Sequence, residues 1–426
     1  MNKRAKKTKV IATLGPASST KEIMLELVKA GADVFRINFS HADYELVKRN
    51  VDIIREINQE YGYNISILGD LQGPKLRVGV VKEGSFLNPG DVLTFTNEPC
   101  EGDSTKVFMT YEKFPQDVKV GERILIDDGK LVFEVIETNQ KDTVKAKTIQ
   151  GGPLSSKKGV NLPNTNVSLP ALTEKDIEDA KFMIENEFDW IALSFVRHAQ
   201  DIIDLKKLIE AHSDFKIPII AKIEKPEGVK NIDEILLECD GLMVARGDLG
   251  VEVPMEEVPV IQKKLVDKAR YYSKPVIIAT QMMETMISSL TPTRAEVNDV
   301  ANNVLDGADA VMLSGETSVG KYPVDVVKNI TKIIKNIEST NLYEKKNDII
   351  EKITCVDDRF VTDMVCLNAV KIAETTGAAA IITLTHSGYT AFQISAHRPT
   401  SRIIVYSSNR RVLTMLNLLW GVRAFY

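Results

Sequence analysis

Eight short apolar runs recur along this sequence, and they constrain its fold more than any other feature. They are rich in Val, Ile and Ala with little alternation, as in parallel strands that are buried on both faces. Most gaps between them hold an amphipathic stretch, such as Lys21–Ala30, which ends at the helix-stopping Gly31. The predicted strands are Val10–Leu14, Val34–Asn38, Ile65–Leu68, Trp190–Ser194, Ile219–Ile223, Leu242–Ala245, Val276–Thr280 and Ala310–Leu313.

Eight strand–helix units favour a closed (β/α)₈ TIM barrel, an α/β fold that typically takes about 250 residues. An open, doubly wound parallel sheet remains the alternative, because its buried strands carry the same apolar pattern. The number of units favours the closed barrel.

About one hundred residues of a different character separate the third predicted strand from the fourth. Turn signals stand there between short β-rich runs, at Asn88-Pro-Gly-Asp and Lys119-Val-Gly-Glu. Ile124–Ile126 and Leu131–Val135 flank Asp-Asp-Gly-Lys and predict a β-hairpin. We therefore predict an inserted all-β barrel domain over residues 72–157, which splits the TIM barrel into residues 1–71 and 158–335.

Beyond residue 335 the α/β alternation restarts and predicts a C-terminal α/β domain over residues 336–426. Only two strands are clear in it, which is too thin a sheet for its helices, so we expect this domain to be incomplete and the chain to be truncated. The predicted elements are helix Asp363–Thr375, strand Ala379–Leu384, helix Ala391–Ala396, strand Ile403–Tyr406 and helix Arg411–Trp420.

Composition excludes several classes of protein. The net charge of −5, from 54 Lys and Arg against 59 Asp and Glu, gives no support to a nucleic-acid-binding protein. No apolar run approaches the roughly 20 residues that span a bilayer, so no membrane association is expected. The widely spaced cysteines predict free thiols in a reducing, cytoplasmic protein with neither zinc site nor disulfide framework; they are Cys100, Cys239, Cys355 and Cys366.

Charged or hydrogen-bonding residues follow most of the predicted strands. Since reactive groups of a TIM barrel lie at the carboxyl ends of its strands, these residues are expected to meet at one mouth. Glu224 and Asp248 are carboxylates of the kind that binds Mg²⁺ or Mn²⁺. Arg36 and Lys222 are cations suited to a phosphoryl group.

The remaining groups at the predicted mouth are small or carry hydroxyls. Gly247 permits close approach of an anionic ligand, and hydroxyls come from Thr280 and Ser314. Carboxylates for a metal, cations for phosphate, and no cysteine or paired histidine together indicate phosphoryl transfer. Any one of these residues alone is more often a cap or an ion pair, so the prediction depends on their convergence.

At these residues the sequence closely resembles the pyruvate kinase family, in stretches that span nearly the whole chain in the family's order. The matching stretches are Thr13-Leu-Gly-Pro-Ala-Ser18, Arg36-Ile-Asn-Phe-Ser-His41, Gly73-Pro-Lys-Leu-Arg77, Lys157-Lys-Gly-Val-Asn-Leu-Pro163, Ala221-Lys-Ile-Glu-Lys-Pro-Glu-Gly228, Met243-Val-Ala-Arg-Gly-Asp-Leu-Gly250, Ala279-Thr-Gln-Met-Met-Glu-Thr-Met286, Pro292-Thr-Arg-Ala-Glu296 and Met312-Leu-Ser-Gly-Glu-Thr317. The resemblance implies transfer of the phosphoryl group of phosphoenolpyruvate to ADP, giving pyruvate and ATP.

The resemblance also implies a role for each matched residue. Arg36 and Lys222 would bind the substrate phosphoryl group, with Lys222 stabilising its charge during transfer. Glu224 and Asp248 would hold Mg²⁺ or Mn²⁺. The inserted domain would close over the site as a lid. Gly247 and Thr280 would hold the substrate carboxylate; the enolate would be protonated near Thr280, Ser314 and Glu316; and the nucleotide would bind at Thr13, Pro16, Arg77 and Lys158.

Many members of the family need K⁺, and the groups that match its ligands here are Asn38, Ser40, Asp70 and the Leu71 carbonyl. At position 75 those members usually carry glutamate, whereas this chain carries Lys75. An ammonium group near the site can supply the positive charge that K⁺ supplies elsewhere. We therefore expect activity without K⁺, with a solvated Lys75 and a bound K⁺ as the alternative.

The last domain resembles a regulatory domain. A sequence that joins a strand to a helix, Thr385-His-Ser-Gly-Tyr-Thr390, resembles the loop that binds sugar-phosphate effectors in some pyruvate kinases. An allosteric phosphate site is expected there, and a plain capped turn is the alternative. The resemblance further implies a homotetramer. The residues of the expected effector site are Thr385, Ser387, Gly388 and Thr390.

Two other classes of function remain open at this point. A metal-dependent barrel lyase that acts on phosphoenolpyruvate or an acyl-CoA would also carry Lys222-Ile-Glu-Lys-Pro-Glu-Gly, although the inserted domain, Arg77 and Lys158 argue against it. A non-catalytic sensor would keep the barrel and bind effectors. The complete set of mouth residues disfavours the sensor, because a retired site has no need of all of them.

Overall fold

The computed structural model describes residues 6–340 and 359–426, so Cys355 lies outside the described residues. In chain order its strands are β1 (Lys9–Thr13), β2 (Val34–Asn38), β3 (Ser66–Asp70), β4 (Phe86–Leu87), β5 (Val92–Thr96), β6 (Lys106–Phe108), β7 (Arg123–Ile126), β8 (Leu131–Thr138), β9 (Thr143–Gln150), β10 (Gly152–Pro153), β11 (Val160–Asn161), β12 (Trp190–Leu193), β13 (Ile219–Ile223), β14 (Gly241–Ala245), β15 (Val276–Ala279), β16 (Ala310–Leu313), β17 (Ala380–Leu384), β18 (Arg402–Tyr406) and β19 (Val422–Phe425).

The α-helices alternate with these strands through most of the chain. They span Lys21–Ala30, Tyr44–Tyr61, Phe114–Asp117, Glu174–Glu185, Ala199–His212, Pro226–Lys230, Ile232–Glu238, Arg246–Glu252, Val258–Tyr271, Arg294–Asp306, Gly315–Ser318, Pro323–Glu338, Phe360–Thr376, Tyr389–Ala396 and Arg410–Met415. Short 3₁₀ helices occupy Phe39–His41, Met255–Glu257, Glu284–Ile287 and Leu416–Leu418. None of the described helices is both long enough and apolar enough to cross a membrane.

Eight parallel strands close into a barrel in the order β1-β16-β15-β14-β13-β12-β3-β2. The predicted TIM barrel is therefore confirmed, and the open doubly wound sheet is wrong. β1, β3, β13 and β14 are buried at every position, because helices cover the outside of the barrel and side chains fill its inside. The parallel register brings the carboxyl ends of the strands to one mouth, with Asn38 beside Asp70.

A second apolar core, built from residues between Leu76 and Val167, is separate from the core of the barrel. We call this unit, residues 76–167, the β insert. Its strands form a six-stranded sheet, β11-β7-β8-β9-β5-β6, and a two-stranded sheet of β4 and β10. The predicted hairpin is present, with Ile126 paired to Leu131 in an antiparallel ladder. The domain limits of 72 and 157 stay a prediction, although apolar residues beyond 157 also belong to this core.

The C-terminal unit is a parallel sheet in the order β17-β18-β19, with helices Phe360–Thr376 and Tyr389–Ala396. The expectation of only two strands is wrong, because β19 pairs with β18 and sets Val422 beside Ile403. The predicted helix Arg411–Trp420 ends at Met415. Gly421, at φ +69°, then turns the chain into the third strand.

The C-terminal unit packs against the amino-terminal end of the barrel, opposite the mouth. Arg398 forms a buried ion pair of 2.6 Å with Asp309, which directly precedes β16. Trp190, the first residue of β12, donates its indole N–H to the Met415 carbonyl at 3.0 Å. The three described cysteines are free thiols.

Candidate active site

Two cations and two carboxylates form a continuous ion-pair array at the barrel mouth. Arg36 on β2 donates from Nε to Oδ2 of Asp70, the last residue of β3, at 2.7 Å. Lys222 on β13 places its Nζ 3.1 Å from Oδ1 of Asp70 and 3.1 Å from Oε1 of Glu224. Neighbouring parallel strands end side by side, which explains why residues distant in sequence meet here.

Asp70 and Lys222 keep their charges although both are buried. Burial by itself would raise the pKa of Asp70, but the cations of Lys222 and Arg36 outweigh it and hold that pKa below its ordinary value. Burial would lower the pKa of Lys222, but the carboxylates of Asp70 and Glu224 raise it above its ordinary value. Lys222 therefore presents a full positive charge at the floor of the mouth.

Glu224 is the group whose ionisation is most disfavoured in this array. Burial, aided by the charge of Asp248, raises the pKa of Glu224 to about 7, against the opposing effect of Lys222. The backbone N–H of Phe195 donates to its Oε2 at 2.7 Å. A buried carboxylate beside the exposed carboxylate of Asp248 is a set of hard oxygen donors, and a divalent cation between them would favour their ionised forms. These two residues therefore fit a divalent metal.

Thr280 and Gly247 meet beside the array. The Gly247 N–H donates to Thr280 Oγ1 at 2.8 Å. Thr280 and Gln281 have positive φ angles of +69° and +54°, a strained conformation for a β-branched residue such as Thr280. Arg246 holds this loop by donating to the Thr280 carbonyl at 2.7 Å and by a bidentate pair with Asp299, both contacts at 2.8 Å.

Glu316 is buried and uses both of its oxygens on backbone amides. Its Oε2 accepts from the N–H of Ser314 at 2.7 Å, and its Oε1 accepts from the N–H of Met283 at 3.1 Å. Glu316 thus ties together the loops that follow β15 and β16. The backbone at Ser314 is positioned by this carboxylate.

Thr13 lies beneath Arg36 in the interior of the mouth. Its Oγ1 accepts from Arg36 Nη1 at 3.2 Å and donates to the Leu313 carbonyl at 2.7 Å. Thr13 is only 4% exposed, whereas Pro16 in the following loop is exposed. Thr13 and Pro16 both match nucleotide positions. Of these two residues only Pro16 is exposed to solvent, whereas Thr13 supports Arg36.

Arg77 and Lys158 lie on adjacent segments of the β insert, since Arg77 forms a β-bridge with Gly159. Arg77 Nη1 donates to the Lys157 carbonyl at 2.8 Å, and Lys158 Nζ contacts Asp127 at 3.0 Å. Hydrogen bonds from Lys158 and Lys130 lower the pKa of Asp127. The structure brings these two cations together on one edge of the insert.

A cleft of about 100 Å³ separates the β insert from the barrel mouth. Asp128 of the insert and Lys75, which directly precedes the insert, line one side of the cleft, and Asp248 and Phe195 line its barrel side. The exposed Lys75 is thus in the same cleft as one of the candidate metal ligands.

The groups that match K⁺ ligands lie in the turns after β2 and β3. Asn38 Oδ1 accepts from the N–H of Ser40 at 3.1 Å. The Leu71 carbonyl accepts from Ser194 Oγ at 2.7 Å, and Asp70 belongs to the ion-pair array. Asn38 Oδ1, the Leu71 carbonyl and Asp70 Oδ2 therefore already receive a donor from the protein.

Ser194 is a residue of the site that the sequence analysis missed. Its buried Oγ accepts from Lys222 Nζ at 2.7 Å while it donates to the Leu71 carbonyl. The sequence carries a signal for it, because Ser194 directly follows β12, the fourth barrel strand along the chain, and so lies at a strand end like the other site residues. The predicted strand Trp190–Ser194 includes this residue, whereas β12 ends at Leu193.

The expected effector loop lies at the carboxyl end of β17, away from the barrel mouth. Thr385 Oγ1 accepts from the N–H of Gly388 at 2.9 Å, and Gly388 has φ +90°. Thr390 Oγ1 contacts Thr383 Oγ1 at 3.0 Å. The loop borders a separate cleft that carries several cations, lined among others by Ser387, Tyr389, Lys206, Lys216 and Arg359.

A closed barrel with cations and paired carboxylates at its mouth is the arrangement expected of a metal-assisted phosphoryl-transfer enzyme. The family pattern "Pyruvate kinase, barrel domain" matches residues 5–327, and "Pyruvate kinase, alpha/beta domain" matches residues 363–426. The chain therefore belongs to the pyruvate kinase family, and the resemblance seen in the sequence is confirmed. Its function is that of the family, phosphoryl transfer from phosphoenolpyruvate to ADP.

Individual relatives agree over nearly the whole chain. Pyruvate kinase 2 of Synechocystis sp. is 44% identical over 423 residues, which cover 98% of this chain and 70% of the relative. Pyruvate kinase of Geobacillus stearothermophilus is 44% identical over 419 residues, covering 98% and 71%. The crystal structure of a pyruvate kinase from Cryptosporidium parvum superposes with a TM-score of 0.92 at 36% identity, covering 99% of this chain and 87% of that one.

Proposed function

We propose that the ion-pair array at the mouth carries out the phosphoryl transfer. Arg36 and Lys222 bind the phosphoryl group of phosphoenolpyruvate, and Lys222 stabilises the charge on it as it moves to ADP. The observation that carries this proposal is the position of Lys222 Nζ, 3.1 Å from both Asp70 and Glu224. Because these carboxylates hold the ammonium group in place, it needs little reorganisation during transfer.

Glu224 and Asp248 are the proposed ligands of the divalent cation, Mg²⁺ or Mn²⁺. When bound, the cation supplies positive charge that stabilises the anionic oxygens of the substrate. Gly247 and Thr280 bind the substrate carboxylate beside it. Thr280 is suited to this role because Arg246 holds its carbonyl and fixes the strained loop.

The proton that completes pyruvate is proposed to arrive through water and the hydroxyls of Thr280 and Ser314. Glu316 belongs to this group as a positioning residue, since both of its oxygens accept backbone N–H groups. Its carboxylate orients the backbone at Ser314.

ADP is proposed to bind between the loop at Pro16 and the cations Arg77 and Lys158 of the β insert. Thr13 contributes by holding Arg36. The cleft between insert and barrel provides room for the insert to close as a lid and to exclude water during transfer.

Activity without K⁺ is proposed because Lys75 provides an ammonium group in the cleft. Assays in buffers free of K⁺ and Na⁺ test this, and a rate that collapses without K⁺ would contradict it. The Lys75→Glu variant should then gain a dependence on K⁺.

A sugar-phosphate effector is proposed at the loop of Thr385, Ser387, Gly388 and Thr390, beside the cation-lined cleft. A sugar phosphate should shift the saturation curve for phosphoenolpyruvate, and it should raise thermal stability. A homotetramer in the cytoplasm completes the proposal, and sedimentation velocity tests the oligomeric state.

The deciding experiment is a coupled assay of pyruvate release with Mg²⁺, with and without ADP. A kinase releases pyruvate only with ADP, a lyase releases product without it, and a sensor turns over nothing. Lys222→Met should reduce kcat on the order of 10³-fold, since it removes the charge that stabilises the transferred group. A kcat near that of the wild type would contradict the role of Lys222, and circular dichroism checks that the variant folds.

A further inference from the structure

Glu252 is a buried carboxylate at the end of the helix Arg246–Glu252, outside the proposed set of substrate and metal ligands. Its Oε1 accepts from two donors, Lys225 Nζ at 2.7 Å and Asn161 Nδ2 at 2.8 Å. Its other oxygen, Oε2, is buried without a hydrogen-bond partner among the described residues. Glu252 also lines the cleft between the β insert and the barrel.

The three side chains belong to three different parts of the molecule. Lys225 directly follows Glu224, and Glu252 lies one helical turn after Asp248. Asn161 belongs to β11 of the insert, where the flanking Val160 and Leu162 are buried in the core of the insert. A single carboxylate oxygen thus joins the insert to the chain segments that carry both candidate metal ligands.

Stability alone gives no good account of this arrangement. A buried ion pair gains little over apolar packing, and a buried oxygen without a partner is unfavourable. The polar contact is therefore better explained by what it connects than by the stability it contributes.

We propose that Glu252 is a positioning residue that couples the position of the β insert to the divalent-cation site. The proposal rests on the proposed function, in which Glu224 and Asp248 bind the cation. With Asn161 docked, Glu252 holds Lys225 beside Glu224 and fixes the helix that carries Asp248. When the insert moves away, Glu252 Oε1 loses the hydrogen bond from Asn161 and keeps only the one from Lys225. The helix Arg246–Glu252 is then held less firmly.

Asn161→Ala removes the contact of the insert while it leaves the Lys225–Glu252 pair in place. We expect Mn²⁺, added alone and followed by electron paramagnetic resonance, to bind about threefold to tenfold more weakly, the equivalent of one hydrogen bond. Hydrogen exchange of helix Arg246–Glu252 should become faster. The matched control is Asn97→Ala, because the Asn97 side-chain amide donates to the carbonyls of Glu112 and Lys141 within the insert, at 3.0 and 3.2 Å. It should bind Mn²⁺ as the wild type does.

Glu252→Gln provides a second, independent variant. It keeps an oxygen for Asn161 but removes the charge that holds Lys225, so Mn²⁺ binding should weaken at least as much as in Asn161→Ala. Because the two residues act through one contact, the double variant should bind Mn²⁺ no more weakly than Glu252→Gln alone. Additive losses would contradict the coupling.

Glu224→Gln separates failure of this proposal from failure of the proposed metal site. If Glu224→Gln binds Mn²⁺ as the wild type does, the assignment of the metal ligands is wrong. If Glu224→Gln loses Mn²⁺ while Asn161→Ala and Glu252→Gln bind it normally, the metal site stands and the coupling through Glu252 is wrong.

Discussion

Lys222 shows how neighbours determine what one side chain can do. Lys222 is 9% exposed, and its ammonium group is held by Asp70, Glu224 and the Ser194 hydroxyl. The two carboxylates keep it charged despite burial, and the hydroxyl fixes its direction. The full charge of a buried ammonium group acts strongly on the phosphoryl group, because little solvent screens it.

Ser194→Ala tests the part that this hydroxyl plays. The change removes one hydrogen bond to Lys222 and leaves the Leu71 carbonyl without its donor. We expect kcat to fall about threefold to tenfold, the kinetic equivalent of one hydrogen bond. Steady-state assays measure it, with Ser213→Ala as the control, since the Ser213 hydroxyl bonds the backbone of Phe215 in a turn at the far end of the barrel. An unchanged kcat in Ser194→Ala would show that Lys222 needs no such support.

At the scale of elements, the start of helix Glu174–Glu185 connects the barrel to the β insert. Thr173 and Asp176 form a capping box, as the sequence pattern of Thr173 followed by Asp176 predicts. Asp176 is fully buried and also accepts from the N–H of Gly73 at 3.0 Å, in the segment that leads into the insert. One carboxylate therefore caps a helix and anchors the start of the insert.

Thr173→Ala and Asp176→Ala separate these two functions. Loss of the cap in Thr173→Ala should cost about 1 kcal/mol of the free energy of unfolding. Asp176→Ala should cost more, on the order of 2–3 kcal/mol, because it also strands the buried N–H of Gly73. Denaturant titration measures both, with Thr293→Ala as a control that removes an equivalent capping box elsewhere in the barrel. Equal losses in the two variants would contradict the second role of Asp176.

At the scale of the whole molecule, a buried lysine joins the barrel to the C-terminal unit. Lys9 at the start of β1 donates to the Val422 carbonyl at 3.0 Å and to Asn417 at 3.4 Å. Burial lowers the pKa of Lys9 to about 8, although Asp33 opposes the shift. The unfolded chain keeps this proton up to the ordinary pKa of 10.5, so between these values the unfolded state binds more protons than the folded state.

This difference predicts how stability depends on pH. The contribution of Lys9 to the free energy of unfolding should rise between about pH 8 and pH 10.5, in total on the order of 3 kcal/mol. Denaturant titrations of the wild type and of Lys9→Met, at several pH values, should show the wild type gaining on the variant as pH increases. A difference that stays constant with pH would contradict the prediction. Lys48→Met, which removes an exposed lysine, is the control.

The sequence also limits what could be predicted at each scale. Residues at strand ends were predictable because parallel strands of a barrel present their carboxyl ends at one mouth. Ser194 was not predicted as a site residue, because the predicted strand ends one residue too late and therefore includes it. The strand β19 was missed for a related reason, since four residues after an apparent helix carry too weak a pattern.

The order of apolar strands and amphipathic helices by itself favoured the closed barrel and predicted the β insert, and the motifs indicated the family of this chain, because those properties depend on patterns along the chain. The motifs also identified the charged groups at the mouth. Only the tertiary structure decided how those groups pair: that Thr13 supports Arg36, that Glu316 binds backbone amides, and that Glu252 joins the insert to the metal-binding segments. Such contacts depend on distances of a few ångströms between residues far apart in sequence, and the packing of the elements sets those distances.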